Sequence, residues 1–184
     1  IVEFSNHCVR NCLYCGLRRD DRALRRYRMT PAAVERAAGA LVARGIHTVI
    51  LQSGDDPAYS REMLCRLVAR LKARHPRLAV TLSVGERPLD DYRAFRESGA
   101  DRYLLKQETV HPALYRRLHP GQSLAHRLAI LYRLKELGYQ VGTGFIVGLP
   151  GQTPAMLAED LAFLRDFQPE MAGIGPFLPQ AHTP

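Results

Sequence analysis

Three cysteines lie close together in residues 8–15, whose sequence is C-V-R-N-C-L-Y-C. Thiolates are soft ligands that hold iron–sulfur clusters and zinc. A closed electron-transfer cluster takes four cysteines, and a structural zinc site takes four ligands, usually from paired C-x2-C units. Cys8, Cys12 and Cys15 instead suit three corners of a cubane cluster. The pattern therefore predicts a cluster whose fourth iron has no protein ligand and binds an exchangeable molecule.

Other uses of these cysteines stay open from the residues alone. His7 stands next to Cys8 and could supply the fourth ligand of a zinc site. Disulfide bonding is a further alternative, although small secreted disulfide scaffolds spread their cysteines along the chain. Cys65, the fourth cysteine, falls in the apolar pattern of a helix, which predicts a buried core thiol. Because the other three are clustered, we expect a reducing compartment and a cytoplasmic protein.

The chain is basic, with 26 Lys and Arg against 18 Asp and Glu and a formal net charge of +8. Part of this excess is local and comes from arginines near the cysteines, namely Arg10, Arg18, Arg19, Arg22, Arg25, Arg26 and Arg28. A solvated, arginine-rich loop is the favoured interpretation, followed by contacts with an anionic ligand or partner. Nucleic acid binding is the weakest interpretation, because few aromatic residues accompany these arginines as stacking platforms.

Composition limits the class of protein. With 46% hydrophobic and 24% charged residues in 184, the chain has the composition of a globular domain and not of a disordered or collagen-like one. No apolar run approaches the roughly 18 residues that a membrane span needs. We therefore expect no membrane among the partners. We also expect no nucleic acid, because few aromatic residues accompany the arginines.

The elements that must position the cysteines alternate between strands and helices. Six segments have strand patterns, at residues 2–5, 48–51, 78–82, 102–105, 140–147 and 171–174. Five helices follow five of these strands or their loops and open at Thr30, Ser60, Pro88, Ser123 and Thr153. Pro31 and Pro154 occupy the first helical position, where proline is best tolerated. The three cysteines lie in the loop directly after the first strand.

Regular alternation of this kind predicts right-handed βαβ units and a parallel sheet. A closed (β/α)8 barrel takes about 250 residues, or about 30 for each unit. An open doubly wound sheet would place a glycine-rich phosphate turn after an early strand, where this chain has cysteines. We therefore expect an α/β fold, a partial TIM-type (β/α)6 barrel of parallel strands. Residues 1–184 are expected to form a single domain, the core of a (β/α)8 barrel truncated at both ends.

The segment with the cysteines resembles that of the radical S-adenosylmethionine (SAM) superfamily, in which C-x3-C-x-aromatic-C binds a [4Fe–4S] cluster. Tyr14 stands at the aromatic position. The resemblance implies that Cys8, Cys12 and Cys15 hold the cluster and that SAM chelates its open iron. One electron from a low-potential donor of the ferredoxin or flavodoxin type then cleaves SAM, which yields a 5′-deoxyadenosyl radical. Barrels of this superfamily carry the cysteines after the first strand, at the rim where barrel active sites lie.

Further segments match superfamily elements that contact SAM. The residues that the resemblance assigns to SAM are Tyr14, Ser53, Gly54, Asp55, Glu108, Arg127, Gly144, Ile146 and Gly148. Asp55 replaces the usual glutamate of the element that contacts the SAM amino group. Glu108, at the end of the fourth strand, is expected to contact the amino or ribose groups. Arg127 is expected to pair with the SAM carboxylate, a role that suits a guanidinium.

Within the superfamily the chain is most similar to the HydE family of FeFe-hydrogenase maturases. The segments Q-S-G-D-D-P at residues 52–57 and G-L-P-G-Q-T at residues 148–153 carry this similarity. It implies a role in maturation of the diiron subcluster, a small-molecule or organometallic substrate, and other maturases as partners. It assigns substrate contacts to Gln52, Thr81, Arg102 and Lys106. Lys106 replaces the family's arginine, and Gln180 and His182 stand where the family has histidine and then aspartate.

Three alternative functions stay open. Methylornithine synthases of the PylB type, which are lysine mutases, resemble the chain in many of the same segments. Another reaction related to that of biotin synthase would also use the cluster and SAM. The alternative that is not an enzyme is a zinc- or cluster-containing module that binds nucleic acid through the arginine-rich loop.

Overall fold

Six parallel strands form the main sheet in the computed structural model of the protein, which describes all residues from Ile1 to Pro184. The eight strands of the chain are β1 (Val2–Ser5), β2 (Thr48–Ser53), β3 (Ala79–Ser83), β4 (Arg102–Leu104), β5 (Gln140–Thr143), β6 (Ile146–Val147), β7 (Met171–Ala172) and β8 (Gly175–Pro176). The main sheet has the order β1-β2-β3-β4-β5-β7, with every pairing parallel. Neighbours in the chain are thus neighbours in the sheet, which confirms the predicted partial barrel of parallel strands.

Six helices connect the strands: α1 (Pro31–Val42), α2 (Arg61–Arg74), α3 (Leu89–Glu97), α4 (Pro112–Leu118), α5 (Leu124–Glu136) and α6 (Pro154–Phe167). The predicted N-caps are confirmed. The side chains of Thr30, Ser60, Ser123 and Thr153 each accept a backbone N–H of the first helical turn. Pro88 precedes α3 without a side-chain cap. A membrane span would need a longer and more apolar helix than any of these six.

Helix α4 is absent from the prediction made from the sequence. It spans 7 residues, too few for a clear 3.6-residue periodicity. Its start does carry local signals, because the His111 ring accepts the Leu114 N–H and Pro112 occupies the first turn. The end of α4 contacts the cysteine loop, by which we mean residues 6–28 after β1. There the Leu13 N–H donates to the Leu118 carbonyl at 2.9 Å.

Glycines divide the last two predicted strands. We predicted one strand over residues 140–147, but β5 and β6 are separated at Gly144, whose φ is +152°. A Cβ at Gly144 would lie 1.9 Å from the Gly173 carbonyl oxygen, so only glycine allows the two segments to approach this closely. The predicted strand at residues 171–174 ends early, and β8 begins after Gly173 and Ile174. As a result β6 and β8 leave the main sheet and pair with each other.

The main hydrophobic core lies between the sheet and the helices packed on it, and it contains 26 buried residues. Tyr103 of β4 packs edge to face against both Tyr92 and Tyr139 within this core. Cys65 of α2 packs against the core but remains partly exposed. The prediction of a buried core thiol is therefore correct for its position on the helix and wrong for the extent of its burial.

A second, smaller core lies beneath the cysteine loop. It consists of Leu114 and Leu118 of α4 together with Leu149, and Leu13 and Tyr14 of the loop pack against it. The carboxyl-terminal ends of the strands thus have apolar support of their own, separate from the main core. This support depends on α4, the helix that the sequence pattern did not predict.

Candidate functional site

Gly54 allows the cysteine loop to lie directly against the end of β2. The Val9 N–H donates to the Asp55 carbonyl at 3.0 Å, which ties the loop to the segment after β2. A Cβ on Gly54 would lie 2.4 Å from the His7 carbonyl oxygen and 2.6 Å from Cys8 Cβ. Any other residue at this position would therefore displace the first cysteine from the strand.

Each of the three cysteine sulfurs in the loop accepts one N–H group. For Cys8 and Cys15 the donor is the backbone N–H two residues later, at 3.4 Å in both cases. For Cys12 the donor is the side-chain amide of Gln122, at 3.1 Å. Burial raises the pKa of all three thiols, and that of Cys12 to about 11. The thiols therefore need a cationic partner to become thiolates at neutral pH.

The donor set of the loop fits an iron–sulfur cluster. All four cysteines of the chain are free thiols, so no disulfide competes for the sulfurs. No three Cys, His, Asp or Glu side chains converge closely enough to share one metal ion. A cluster does not require such convergence, because each thiolate binds a different iron atom. Sulfurs that already accept N–H groups are typical of cluster ligands, since such hydrogen bonds help to set the cluster potential.

Two arginines, Arg26 and Arg28, connect parts of the cysteine loop to each other and to the segment after β2. The Arg26 guanidinium is only half-buried, yet it donates to backbone carbonyls along the loop, namely those of Asn6, Leu17, Arg18 and Asp21. Arg28 forms a bidentate pair with the buried Asp56, at 2.7 and 3.0 Å. The prediction of a solvated arginine-rich loop is thus wrong for Arg26, because backbone carbonyls take up its donors. Arg28 is exposed as predicted, although it pairs with a buried carboxylate. Arg19, Arg22 and Arg25 are exposed as predicted.

Two arginines and two carboxylates form an ion-pair network at the ends of β2 and β3. Arg10 of the cysteine loop lies 2.7 Å from Asp55 and 3.0 Å from Glu86. Glu86 also pairs with Arg127 of α5, at 2.6 Å. The Glu86 and Arg127 side chains are 6% and 10% exposed, so salt screens their attraction little. The network joins the cysteine loop to the segments after β2 and β3 and to α5.

Arg127 uses two more of its five N–H donors within the same site, which leaves one on each terminal nitrogen without a contact. Its guanidinium donates to the Lys106 carbonyl at 2.8 Å and to Gln122 Oε1 at 3.1 Å. Burial by itself would lower the pKa of Arg127, but Tyr115 and Glu86 raise it above its usual value. Arg127 is therefore a permanent buried cation, as a group that binds a ligand carboxylate must be.

Glu108 combines an unusual backbone with a buried carboxylate. Its φ of +63° lies in the left-handed region, which is uncommon for residues other than glycine. Burial raises the pKa of Glu108, whereas the neighbouring Lys106 lowers it. Glu108 Oε2 lies 3.1 Å from Lys106 Nζ, but no aligned hydrogen bond reaches this oxygen. The oxygen thus keeps acceptor capacity for a ligand, and the strained backbone is typical of a functional position.

These side chains line a cavity of about 300 Å³ at the carboxyl-terminal ends of the strands. The residues predicted from the sequence that lie in its wall are Cys8, Cys12, Tyr14, Cys15, Gln52, Ser53, Gly54, Asp55, Lys106, Glu108 and Arg127. The structure therefore brings together the three cysteines, most of the positions assigned to SAM, and Gln52 and Lys106 of the positions assigned to the substrate. We call this space the charged cavity.

A second cavity, of about 400 Å³, shares Tyr14, Cys15 and Leu17 with the lining of the charged cavity. Most of its lining is apolar and includes Ile146 and Phe177, and we call it the apolar cavity. Ile146, one of the positions assigned to SAM, lines this cavity and not the charged one. Gln180, which replaces a family histidine, also lies in its wall.

Two of the predicted substrate residues lie outside both cavities. The Arg102 side chain bonds to Gln140 Oε1 at 2.6 Å and to Thr48 Oγ1 at 3.4 Å, at the amino-terminal ends of the strands. Thr81 is the strand neighbour of Arg102 and is fully buried, and its hydroxyl has no hydrogen-bond partner. Substrate contact for Arg102 and Thr81 therefore stays a prediction that neither cavity supports. The similarity to the HydE family assigned these residues to the barrel interior, whereas the depth of each residue along the barrel axis comes from the structure.

Two of the glycines predicted to contact SAM, Gly144 and Gly148, instead have conformational roles in the backbone. Gly144 makes its close approach to the Gly173 carbonyl and not to an open cavity. Gly148 has a φ of +88°, and its N–H donates to Gln152 Oε1 at 2.7 Å within a turn. Neither glycine lines the charged or the apolar cavity. Gly144 therefore allows close packing of two strands, and Gly148 allows a turn. Within this glycine-rich segment, Ile146 is the predicted SAM position that lines a cavity.

A buried histidine fixes the aromatic residue of the cysteine loop. The Tyr14 hydroxyl lies 2.8 Å from His119 Nε2, and His119 Nδ1 lies 3.1 Å from the Tyr115 carbonyl oxygen. Because a carbonyl only accepts, Nδ1 carries the proton and Nε2 accepts from the Tyr14 hydroxyl. Burial lowers the pKa of His119 to about 4, so the ring is neutral at pH 7. Tyr14 is thereby held in place where it lines both cavities.

Three residues of the site are missing from the prediction made from the sequence: Glu86, His119 and Gln122. Glu86 follows β3 in the way that Asp55 follows β2, so the rule that barrel sites collect at strand ends could have identified it. His119 and Gln122 lie in the short connection between α4 and α5. Without α4, no pattern in the sequence places that connection beside the cysteines.

Comparisons with known proteins agree with this geometry. The family model described as the radical SAM superfamily matches residues 2–164. The chain is 50% identical over 184 residues to the [FeFe] hydrogenase maturase subunit HydE of Thermotoga maritima. It is 28% identical over 185 residues to the 3-methylornithine synthase of Methanosarcina acetivorans. Each alignment covers 100% of this chain and 52% of the relative, so the chain spans about half the length of the curated relatives it matches.

Solved structures give the same result for the fold. The crystal structure of methylornithine synthase (PylB) matches 100% of this chain and 54% of its own, with a TM-score of 0.93 and 30% identity. The hydrogenase maturase HydG of Carboxydothermus hydrogenoformans covers 99% of this chain and 45% of its own at a TM-score of 0.84. Its 22% identity supports a likeness of fold alone. The chain belongs to the radical SAM superfamily, a group of enzymes that use a [4Fe–4S] cluster and SAM.

Proposed function

We propose that Cys8, Cys12 and Cys15 bind a [4Fe–4S] cluster on which the protein cleaves SAM reductively. The observation that carries this proposal is the placement of the three sulfurs, each with one N–H donor, in the wall of the charged cavity. When bound and reduced, the cluster and SAM together supply a 5′-deoxyadenosyl radical. The residues of the chain bind and orient the reactants and keep water away from them.

The charged cavity complements the amino-acid end of SAM. We assign the SAM carboxylate to Arg127, because a guanidinium that stays charged can bind it through paired hydrogen bonds. We assign the SAM ammonium to Asp55 and Glu108. Their carboxylates have more acceptor sites than the contacts with Arg10 and Lys106 occupy. The ammonium and the carboxylate of SAM thus meet opposite charges that come from different elements of the barrel.

The apolar cavity complements the adenine of SAM. Tyr14 lines both cavities, so a molecule that extends from one to the other passes this ring. Ile146 and Phe177 supply apolar surface on which a purine can pack. The bond between Tyr14 and His119 keeps the tyrosine ring in place before SAM arrives, which lowers the entropy cost of binding.

We assign the substrate to the barrel interior beside the charged cavity. Gln52 offers an amide and Lys106 an ammonium in this wall, so a small polar or anionic molecule, including an organometallic one, suits them. Lys106 is partly neutralised by Glu108, which lies 3.1 Å away. The interior position limits access of water to the radical. The reducing electron is expected from a low-potential protein of the ferredoxin or flavodoxin type.

The biological role that we propose is HydE-like, in maturation of the FeFe-hydrogenase diiron subcluster. Its support is the 50% identity with one HydE protein along the whole chain, against 28% for a 3-methylornithine synthase. Other hydrogenase maturases would then be partners. Methylornithine synthesis is the second candidate, because the PylB structure matches this fold at a TM-score of 0.93.

Product analysis tests the proposed chemistry. The protein is reconstituted anaerobically with iron and sulfide, reduced, and incubated with SAM. We expect 5′-deoxyadenosine and methionine in equal amounts, and no such products from a Cys12→Ala variant. A protein that retains zinc, forms no cluster and binds DNA or RNA instead would overturn the proposal.

A second assay separates the two candidate roles. Apo-hydrogenase is incubated with the remaining maturases, with and without this protein, and hydrogen evolution is measured. Lysine is incubated in parallel with the protein, SAM and reductant, and 3-methylornithine is measured. Activation of the hydrogenase without 3-methylornithine supports the HydE-like role, and the reverse result supports the synthase.

A further inference from the structure

The three cysteine sulfurs receive their hydrogen bonds from different kinds of donor. Cys8 and Cys15 accept from backbone N–H groups two residues away, which follow from the path of the loop itself. Cys12 accepts from the Gln122 side chain, which lies 110 residues away in the sequence. This contact is also the shortest of the three, at 3.1 Å against 3.4 Å. Only the hydrogen bond to Cys12 therefore depends on a replaceable side chain.

The orientation of the Gln122 amide follows from its second contact. Gln122 Oε1 accepts from Arg127 Nη2 at 3.1 Å, and a guanidinium has donors only. The amide nitrogen must therefore face the sulfur of Cys12. Arg127 is itself fixed by Glu86, which also pairs with Arg10 between the first two cysteines. The contacts thus form a continuous series whose two ends both lie in the cysteine loop. Its members, in order, are Cys12, Gln122, Arg127, Glu86 and Arg10.

Hydrogen bonds to sulfur affect the oxidised and reduced forms of a cluster differently. Reduction adds one electron, forms and breaks no bond, and increases the negative charge on the cluster and its thiolates. An N–H group that points at a thiolate stabilises this added charge and so raises the reduction potential. A donor whose orientation is fixed in advance does so without reorganisation when the electron arrives.

We propose that Gln122 is a positioning residue that raises the reduction potential of the cluster by holding its amide N–H on Cys12, with Arg127 and Glu86 fixing the amide. This inference rests on the proposed function, because it requires that the three cysteines hold a cluster. It concerns electron uptake from the donor protein and is separate from the identity of the substrate.

A redox titration tests the proposal. The reconstituted protein, without SAM, is titrated with dithionite in the presence of mediators, and the reduced cluster is quantified by EPR. The change Gln122→Leu removes the N–H donor. We expect about a tenfold smaller ratio of reduced to oxidised cluster at a given potential, which is about 59 mV for one electron. The matched control is Gln140→Leu, because Gln140 lies at the other end of the sheet and bonds to Arg102; its potential should equal that of the wild type.

A second variant keeps the test decisive if Gln122→Leu loses its cluster. Gln122→Glu retains an acceptor for Arg127 but replaces the donor with a carboxylate oxygen, and its potential should also fall. A wild-type potential in either variant that holds a cluster overturns the inference, while the proposed function stands. Loss of the cluster from both variants also overturns it, since Gln122 would then act in assembly. Failure of the wild type to form any cluster overturns the proposed function itself.

Discussion

The two ends of the main sheet are held by different kinds of interaction. At the amino-terminal end, Arg102 bonds to Gln140 and Thr48 through side chains that reach solvent. At the carboxyl-terminal end, Glu86 and Arg127 form a buried pair that also fixes the donor to a cysteine sulfur. The same strands thus end in a solvated polar edge on one side and in a desolvated charged site on the other.

This difference between the two ends of the sheet predicts where substitutions should be tolerated. An exposed ion pair or polar contact contributes about 0–1 kcal/mol, because water competes for both partners. Removal of one partner from a buried pair costs about 3–5 kcal/mol, because it leaves an unpaired charge in a low dielectric. We therefore expect the amino-terminal end to accept changes that the carboxyl-terminal end does not.

The largest expected effect comes from the cysteines themselves. The change Cys12→Ala should abolish cluster binding, because it removes one of the three iron ligands that the chain provides. Cys65→Ala is the matched control, since that thiol packs against the main core. Iron and acid-labile sulfide content after reconstitution measure both variants. Cluster loss in the Cys65 variant would show that this fourth cysteine belongs to the site.

Truncation in the main core should reduce stability strongly. Leu51 of β2 is fully buried in that core, and Leu51→Ala should lower the free energy of unfolding by about 2–5 kcal/mol. Leu161→Ala is the control, because Leu161 is 54% exposed and should change stability by less than about 0.5 kcal/mol. Urea denaturation of the apoprotein measures both. Equal effects of the two changes would contradict the position assigned to the core.

A methyl group at the end of β2 should disturb the site more than the fold. Gly54→Ala places a Cβ against His7 and Cys8 and should cost about 1–3 kcal/mol through overpacking. Because Cys8 is displaced, we also expect less cluster per chain. Gly175→Ala serves as the comparison, since a Cβ there meets nothing within 4 Å. A Gly54→Ala protein with full cluster content would show that the loop can shift without loss of its ligands.

Acidic pH should lower the free energy of unfolding, because the folded protein holds His119 neutral beside Tyr14 of the cysteine loop. Burial lowers its pKa from 6.5 to about 4 in the folded state. Between these values the unfolded chain binds a proton that the folded chain excludes, so stability falls as pH falls. We expect the His119 contribution to the free energy of unfolding to be about 2 kcal/mol lower at pH 5 than at pH 7. His119→Gln should lack this component in urea denaturation at the two pH values, and an unchanged pH dependence would contradict the buried neutral ring.

The smallest expected effect lies at the amino-terminal end of the sheet. Arg102→Ala removes partly solvated contacts with Gln140 and Thr48 and should change the free energy of unfolding by about 0.5 kcal/mol or less. It should leave SAM cleavage unchanged, because Arg102 lies outside both cavities. Production of 5′-deoxyadenosine is the measurement. A large loss of this product would place Arg102 in the site after all.

The sequence predicts the strands, long helices and helix caps of this molecule better than it predicts short elements and contacts between distant segments. Strands and long helices follow from apolar periodicity, and the caps at Thr30 and Ser123 follow from local chemistry, so both appear where expected. Helix α4 has only 7 residues and no such periodicity. The break at Gly144 depends on contact with the distant Gly173, which no local pattern contains.

In the candidate site, too, local features could be predicted from the sequence and contacts between distant residues could not. The spacing of the cysteines within one loop is a local signal, and it led directly to the three thiols in the cavity wall. The pair between Arg10 and Glu86 joins residues 76 positions apart, and the contact of Cys12 with Gln122 spans 110 positions. Such contacts exist only after the barrel has brought strand ends together. The depth of Arg102 in the barrel is likewise a property of the tertiary structure.

EPR spectroscopy of the reduced cluster, with and without SAM, tests the central claim most directly. The claim is that three cysteines at the carboxyl-terminal end of the sheet leave one iron of a [4Fe–4S] cluster open to SAM. We predict that saturating SAM changes the signal of the reduced cluster, because a ligand is added to that iron. An unchanged signal in a protein with full cluster content would contradict the claim.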